Sequence, residues 1–151
     1  MATGTEHRLE DLAHELFQVV TRICLSTLRG RRRAGDLKEV EFLTLSLLHD
    51  NGTMIVGDLQ RLLGVLPAQM SRVIRALENR DRPSIHCRIN SSDKRKIDVV
   101  LTGMGEKALL DYQGKRVRRI AEQLQSLSED EQDDLLRVLH KLHGLLEHAP
   151  S

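Results

Sequence analysis

Tryptophan is missing from this 151-residue sequence, and Phe17, Phe42 and Tyr112 are its only aromatic side chains. The core must therefore be aliphatic, and a stacking pocket for a flat ligand would have few walls to draw on. No apolar run approaches the roughly 18 residues that a membrane span requires. The opening stretch MATGTEHRLEDLAHEL is too polar for a secretory signal. Cysteine is scarce as well. Cys24 and Cys87 supply neither a disulfide framework nor a zinc-ribbon spacing. A cytoplasmic protein with reduced thiols is the expectation. There is no Ser-His-Asp order, no phosphate-binding glycine loop and no HExxH. Neither enzymatic activity nor a cofactor is expected.

What is present is charge, at 30% of residues, with a net of only +1. The distribution is uneven. Residues 53–101 carry nine Lys/Arg against five Asp/Glu, a net of +4, while residues 1–52 come to −1 and residues 102–151 to −2. That pattern fits a central module for a polyanion between two near-neutral arms.

The periodicity predicts mostly helices. Residues 6–29 carry a helical stripe from Leu9 to Ile23. Gly30 and Gly35 bracket a basic linker. Asp36 reads as an N-cap with Glu39 three residues on, opening a helix over 37–49 with Leu37, Val40, Leu43 or Thr44, and Leu47 inward. Asp50-Asn51-Gly52 ends it. Thr53-Met54-Ile55 suits a short strand and 56–63 a short helix stopped by Gly64. Pro67 then opens a helix over 67–79, with Met70, Val73, Ile74 and Leu77 on one face. Ile85, Cys87 and Ile89 alternate with His86 and Arg88, and Ile97, Val99 and Leu101 match them across the loop NSSDKRK. This is an antiparallel hairpin. A long helix follows over 103–126, and Ser128 to Glu131 form a capping box for a last helix to about 147. Its stripe is Leu135, Leu139, Leu142 and Leu146.

Short helix, glycine turn, second helix and hairpin, in that order, make a winged helix-turn-helix. The expected fold is mainly α with a small β-wing, with N- and C-terminal helices forming a dimerisation region. The expected boundaries are 1–35 for the first helix and basic linker, 36–101 for a DNA-binding domain, and 102–151 for the C-terminal helices. A major groove accepts one α-helix, whose outer residues reach base edges. On the 67–79 helix, Arg72 and Arg75 stand on that outer face, where arginine's fork matches guanine or phosphate. Gln69 and Ser71 are companions, and small Ala68 permits close approach. The hairpin tip carries Lys94, Arg95 and Lys96. A long arginine there can enter a narrow minor groove. Asp93 would hold that arginine or the loop backbone. Arg31 to Arg33, Lys94 and Lys96 would add phosphate contacts.

A winged helix of about 70 residues closes its own core. It cannot also cover the apolar stripes of residues 9–28, 104–127 and 135–146. A homodimer would cover them and present two heads to a pseudo-palindromic site on double-stranded DNA. A winged helix that serves only protein–protein interaction is the alternative.

The wing DKRKIDVVLTGMG resembles the D-x-R…L-T-x-x-G pattern of the MarR family of bacterial transcriptional regulators. QMSRVIRALE is similar to that family's recognition helix, and LSEDEQDDLLRVLHKL to its last helix. The resemblance implies a homodimeric repressor released by a small-molecule effector. It implies a minor-groove role for Arg95 with Asp93 in support, and recognition-helix roles for Ala68, Gln69, Ser71, Arg72 and Arg75. The sequence departs from the pattern at three places. Leu66 stands where a capping Ser is common, NRDRPS replaces a glycine turn, and Cys87 with Arg88 after it replaces an arginine at the start of the wing.

Two features lie outside that scheme. Cys24 on the first helix is a candidate redox residue, although sensing needs a depressed pKa and a donor nearby. His140, His143 and Glu147 share one helical face with the spacing of half a metal site. Exposed histidines on a charged terminal helix are the commoner case, and no metal is expected.

Overall fold

The computed structural model describes residues 3–29, 33 and 35–148. Nine elements follow in order: α1 Thr3–Leu28, α2 Glu39–Asn51, β1 Met54–Ile55, α3 Val56–Leu63, α4 Pro67–Glu78, β2 Ile85–Ile89, β3 Ile97–Leu101, α5 Gly103–Leu124 and α6 Glu129–Glu147. They form two compact units, one ending at Lys115 and the other beginning at Arg116. The fold is mainly helical with one small antiparallel sheet, ordered β1-β3-β2.

Within the first unit, the buried apolar core of the described residues lies between Leu37 and Leu109. Leu45, Leu48, Leu59, Met70, Leu77, Ile85 and Val99 are sealed from solvent. No aromatic ring is among them. Phe42 and Tyr112 instead stack on each other at the margin, with centroids 4.4 Å apart. The Tyr112 hydroxyl donates to Glu39 at 2.8 Å.

The start of α2 differs from expectation. Its N-cap is Lys38, not Asp36, and the reaching carboxylate is Glu41, which accepts the Lys38 N–H at 3.2 Å. The reason is Leu37. It is buried from the extended segment ahead of the helix, so the helix can begin only after it. Asp36 closes a turn instead, accepting the Arg33 N–H at 2.7 Å and facing Lys115 at 3.7 Å. Of the expected inward stripe, Leu37 is buried and Val40 and Leu47 pack against the core. Thr44, Leu45 and Leu48 are buried, whereas Leu43 is exposed.

The turn between α3 and α4 is set by Gly64, which adopts the left-handed conformation at φ 62°. Val65 N–H reaches Gln60 O and Gly64 N–H reaches Arg61 O, both at 3.3 Å, a Schellman closure. Three residues later Pro67 begins α4, with no side-chain cap from Leu66. Met70, Val73 and Leu77 anchor α4 to the core.

The hairpin pairs Ile85 with Leu101, Cys87 with Val99 and Ile89 with Ile97. Burial fades along it. Ile85 is fully covered, while Ile89 at the far end is 65% exposed. The wing therefore leaves the core as it rises.

The junction of β3 and α5 explains the L-T-x-x-G spacing. Thr102 Oγ1 accepts the Gly105 N–H at 3.0 Å, capping α5, and donates to Pro83 O at 2.6 Å. Thr102 N–H donates to Ser84 O at 3.1 Å. These bonds draw the helix against the strand so closely that only glycine fits at 105. A Cβ there would lie 2.0 Å from the Ser84 carbonyl oxygen.

In the second unit, α6 starts as its capping box predicts. Ser128 Oγ accepts the Glu131 N–H at 3.3 Å, and Glu131 accepts the Ser128 N–H at 2.8 Å. No described residue of α6 is buried, and Leu136, Leu139, Leu145 and Leu146 are exposed.

Candidate nucleic-acid interface

The inward anchoring of α4 leaves Ala68, Gln69, Ser71, Arg72 and Arg75 on its exposed face. Arg75 lies back along the helix, its Nε donating to Ser71 O at 3.3 Å. Beside it stands the wing. A cleft of about 790 Å³ separates the two, and its walls bring Ser71 and Arg75 of α4 together with Arg95 and Lys96 of the wing. Its floor is apolar, from Ile55, Val56, Ile74 and Ile97. Ala68, Gln69, Arg72, Arg88 and Lys94 are exposed but do not line this cleft.

The wing tip is tightly organised. Asp93 accepts three hydrogen bonds from Arg95: the backbone N–H at 3.0 Å and Nε at 3.2 Å on Oδ1, and Nη2 at 3.4 Å on Oδ2. The Arg95 guanidinium holds the Asp93 carboxyl below the usual carboxylate range, and the Arg95 backbone N–H adds to that. The side chain of Arg95 is nevertheless 91% exposed. The wing thus displays a fully accessible arginine whose direction is fixed at its base.

Two residues of this arrangement were not legible as functional from the sequence. Asn90 donates from Nδ2 to Asp98 Oδ1 at 2.8 Å, and its Oδ1 accepts the N–H groups of Ser92 and Asp93, each at 2.9 Å. Asp98 is buried and also faces Arg88 Nε at 3.6 Å. An Asn three residues ahead of an Asp is a turn signal that could have pointed to the first. Asp98 gives none, because its partner lies across the hairpin.

Cys87 sits in the wall of the same cleft, partly buried. Burial pushes its thiol up to about 12, with the nearby Glu78 carboxylate adding to the shift. It is a packing residue, not a nucleophile. Cys24 is exposed on α1. His143 faces Glu147 at 3.1 Å. Among the described residues no group of three His, Cys, Asp or Glu could hold a metal ion. Arg31 and Arg32 lie outside the described residues; Arg33 is exposed.

A helix-turn-helix followed by a basic two-stranded wing defines the winged helix-turn-helix class. Within it, residues 37–97 match the MarR family. Solved structures share the whole fold. The YusO protein from Bacillus subtilis is 21% identical, with 97% of this chain and 100% of that one covered and a TM-score of 0.67. BpsR from Bordetella bronchiseptica, described as regulated in its DNA binding by 6-hydroxynicotinic acid, is 20% identical. The alignment covers 88% of this chain and 98% of that one, with a TM-score of 0.60. A MepR mutant from S. aureus bound to an oligodeoxyribonucleotide is 20% identical. It is covered to 97%, this chain to 94%, with a TM-score of 0.54. At these identities the likeness establishes the fold. No curated protein sequence matches this chain.

Proposed function

We propose that this protein is a sequence-specific, double-stranded DNA-binding transcriptional regulator, working as a homodimeric repressor released by a small ligand. One observation carries the reading: a single cleft brings Arg75 and Ser71 of α4 together with Arg95 and Lys96 at the tip of the wing. An α-helix fills a major groove, and a finger beside it falls on the adjacent minor groove. Arg72 and Arg75, with Ala68, Gln69 and Ser71, then read base edges. Arg95 enters the minor groove, Asp93 steadies it, and Lys94, Lys96 and Arg88 meet phosphates. In this reading residues 36–101 bind DNA, while 1–35 and 102–151 pair two chains. The exposed apolar residues of α1 and α6, among them Leu12, Leu16, Phe17, Leu139 and Leu146, support the pairing. Two heads would then meet half-sites about 34–36 Å apart on a pseudo-palindromic operator.

The structural neighbour BpsR, described as regulated in its DNA binding by 6-hydroxynicotinic acid, supports an effector. A second cleft of about 600 Å³, walled by the α4–β2 loop and α5 with Arg80, Arg82, Met104 and Lys107, is large enough to receive one. Among the described residues no helix is long and apolar enough to cross a membrane, in keeping with a cytoplasmic regulator.

The test is selection of binding duplexes from a random-sequence pool, followed by titration of salt against the enriched duplex. Log affinity should fall with log salt at about −0.9 per phosphate neutralised. Arg95→Ala should weaken that specific complex by about 1–3 kcal/mol. Failure to enrich any duplex at low salt would refute the regulator and favour a protein-interaction module.

A further inference from the structure

Arg95 presents a physical problem. A long, 91% exposed side chain on a hairpin tip should lose much rotamer freedom when it enters a groove. The wing contains a device that settles this in advance. It begins at Asp98, a buried carboxylate on β3. Asp98 fixes the Asn90 amide at 2.8 Å. The other end of that amide accepts the N–H groups of Ser92 and Asp93. Asn90 N–H to Lys96 O and Lys96 N–H to Asp93 O, both 3.0 Å, close the loop around it. Asp93, so placed, accepts the backbone and guanidinium of Arg95. An unbroken series of hydrogen bonds therefore runs from the buried Asp98 carboxylate to the tip of the wing.

We propose that Asn90, braced by Asp98, is the positioning residue that aims Arg95, and so sets the sequence preference read by the wing. This rests on the DNA-binding reading above. The chemistry requires asparagine in particular. The position must donate to Asp98 on one side and accept two amides on the other, which a neutral carboxamide does at once. Aspartate keeps the acceptor, loses the donor and sets a second negative charge against Asp98. The defect has a defined cure. In the exchange Asn90→Asp with Asp98→Asn, the donor sits on the strand and the acceptor in the loop, so the contact is remade with its polarity reversed.

The experiment uses the full-length chain and the duplex that wild type enriches from a random pool. Binding of each variant is measured to that duplex and to two mutated forms, one altered in the flank contacted by the wing and one in the major-groove positions. Asn90→Asp should reduce the flank preference about tenfold, as one lost base-pair discrimination does, and leave the major-groove preference intact. Arg95→Ala should abolish the same preference. The exchanged double variant should regain most of it. A brace that merely stabilises the fold would lower binding to all three duplexes alike, in step with the thermal midpoint, and that result overturns the proposal. So does an Asn90→Asp variant that keeps the wild-type flank preference. So does an exchanged variant that melts like wild type without regaining it. A wild-type chain that enriches no duplex overturns the DNA-binding reading itself, and is distinguished from the others by arising before any variant is made.

Discussion

Alanine at Gly105 and alanine at Gly103 should have opposite effects, although the two positions share one turn of α5. At Gly105 the added Cβ would stand 2.0 Å from Ser84 O, 2.9 Å from Ser84 C and 2.8 Å from Leu101 Cδ1. Two of these neighbours are backbone, so the helix and the strand must separate. Overpacking of this kind costs about 1–3 kcal/mol. Separation also strains the bond from Thr102 N–H to Ser84 O, worth about 1 kcal/mol. Alanine gains about 1 kcal/mol over glycine in a helix, which offsets the second loss. The net expectation for Gly105→Ala is about 2 kcal/mol of destabilisation, a fall of about 4–8 °C in Tm for a chain of this size. At Gly103 a Cβ meets nothing within 4 Å, so alanine keeps its helical advantage and stability should rise slightly. Urea and thermal melts followed by circular dichroism at 222 nm measure both. Equal stability of Gly105→Ala and wild type, or equal damage at both positions, would refute the account of the close approach.

Arg80→Ala should cost about 2 kcal/mol in the same melts, because it strips the partner from Glu41, whose side chain is only 8% exposed and which Arg80 faces at 3.8 Å while also contacting Gly35 O. Adding Glu41→Gln should recover part of that loss, and a neutral Arg80→Ala would contradict the pairing. Cys87 should resist iodoacetamide in the native protein at pH 8, since a thiol at about 12 is ionised in only about one molecule in ten thousand there; peptide mapping that finds it alkylated before unfolding counts against the buried placement. Asp93, lowered by Arg95, favours the ordered wing at pH values above its unfolded pKa, and that contribution disappears as pH falls through the lower folded value. The Arg95 Nε–H resonance should accordingly titrate with a midpoint below the ordinary aspartate value of about 3.9; a midpoint at or above it means the pair does not form in solution.

Elements governed by neighbours in sequence were open to reading from the chain. The capping box at Ser128 needs only Glu131 three residues on. The hairpin announces itself by strict alternation, and Gly64 with Pro67 marks the turn between two short helices. Features decided by distant packing were not. Asp36 has the right chemistry for a cap, yet burial of Leu37 from outside the helix moved the start to Lys38. The L-T-x-x-G spacing could be noticed in the chain, but its cause could not, because the Ser84 carbonyl that excludes a side chain at 105 lies in the loop ahead of β2. The brace from Asp98 to Asn90 spans the two strands of the wing and has no local signature. Arg75 of α4 and Arg95 of the wing were visible singly; their meeting along one cleft is a matter of tertiary packing.

Among the described residues, every sealed apolar side chain belongs to the stretch between Leu37 and Leu109, and none to α1 or α6. If the exposed apolar residues of those two helices are covered by another molecule of the same chain, their order is subject to mass action. Each tenfold dilution then removes about 1.4 kcal/mol from the assembled form. Abundance in the cell would thereby become an input to the regulator in its own right, setting how often two heads travel as one.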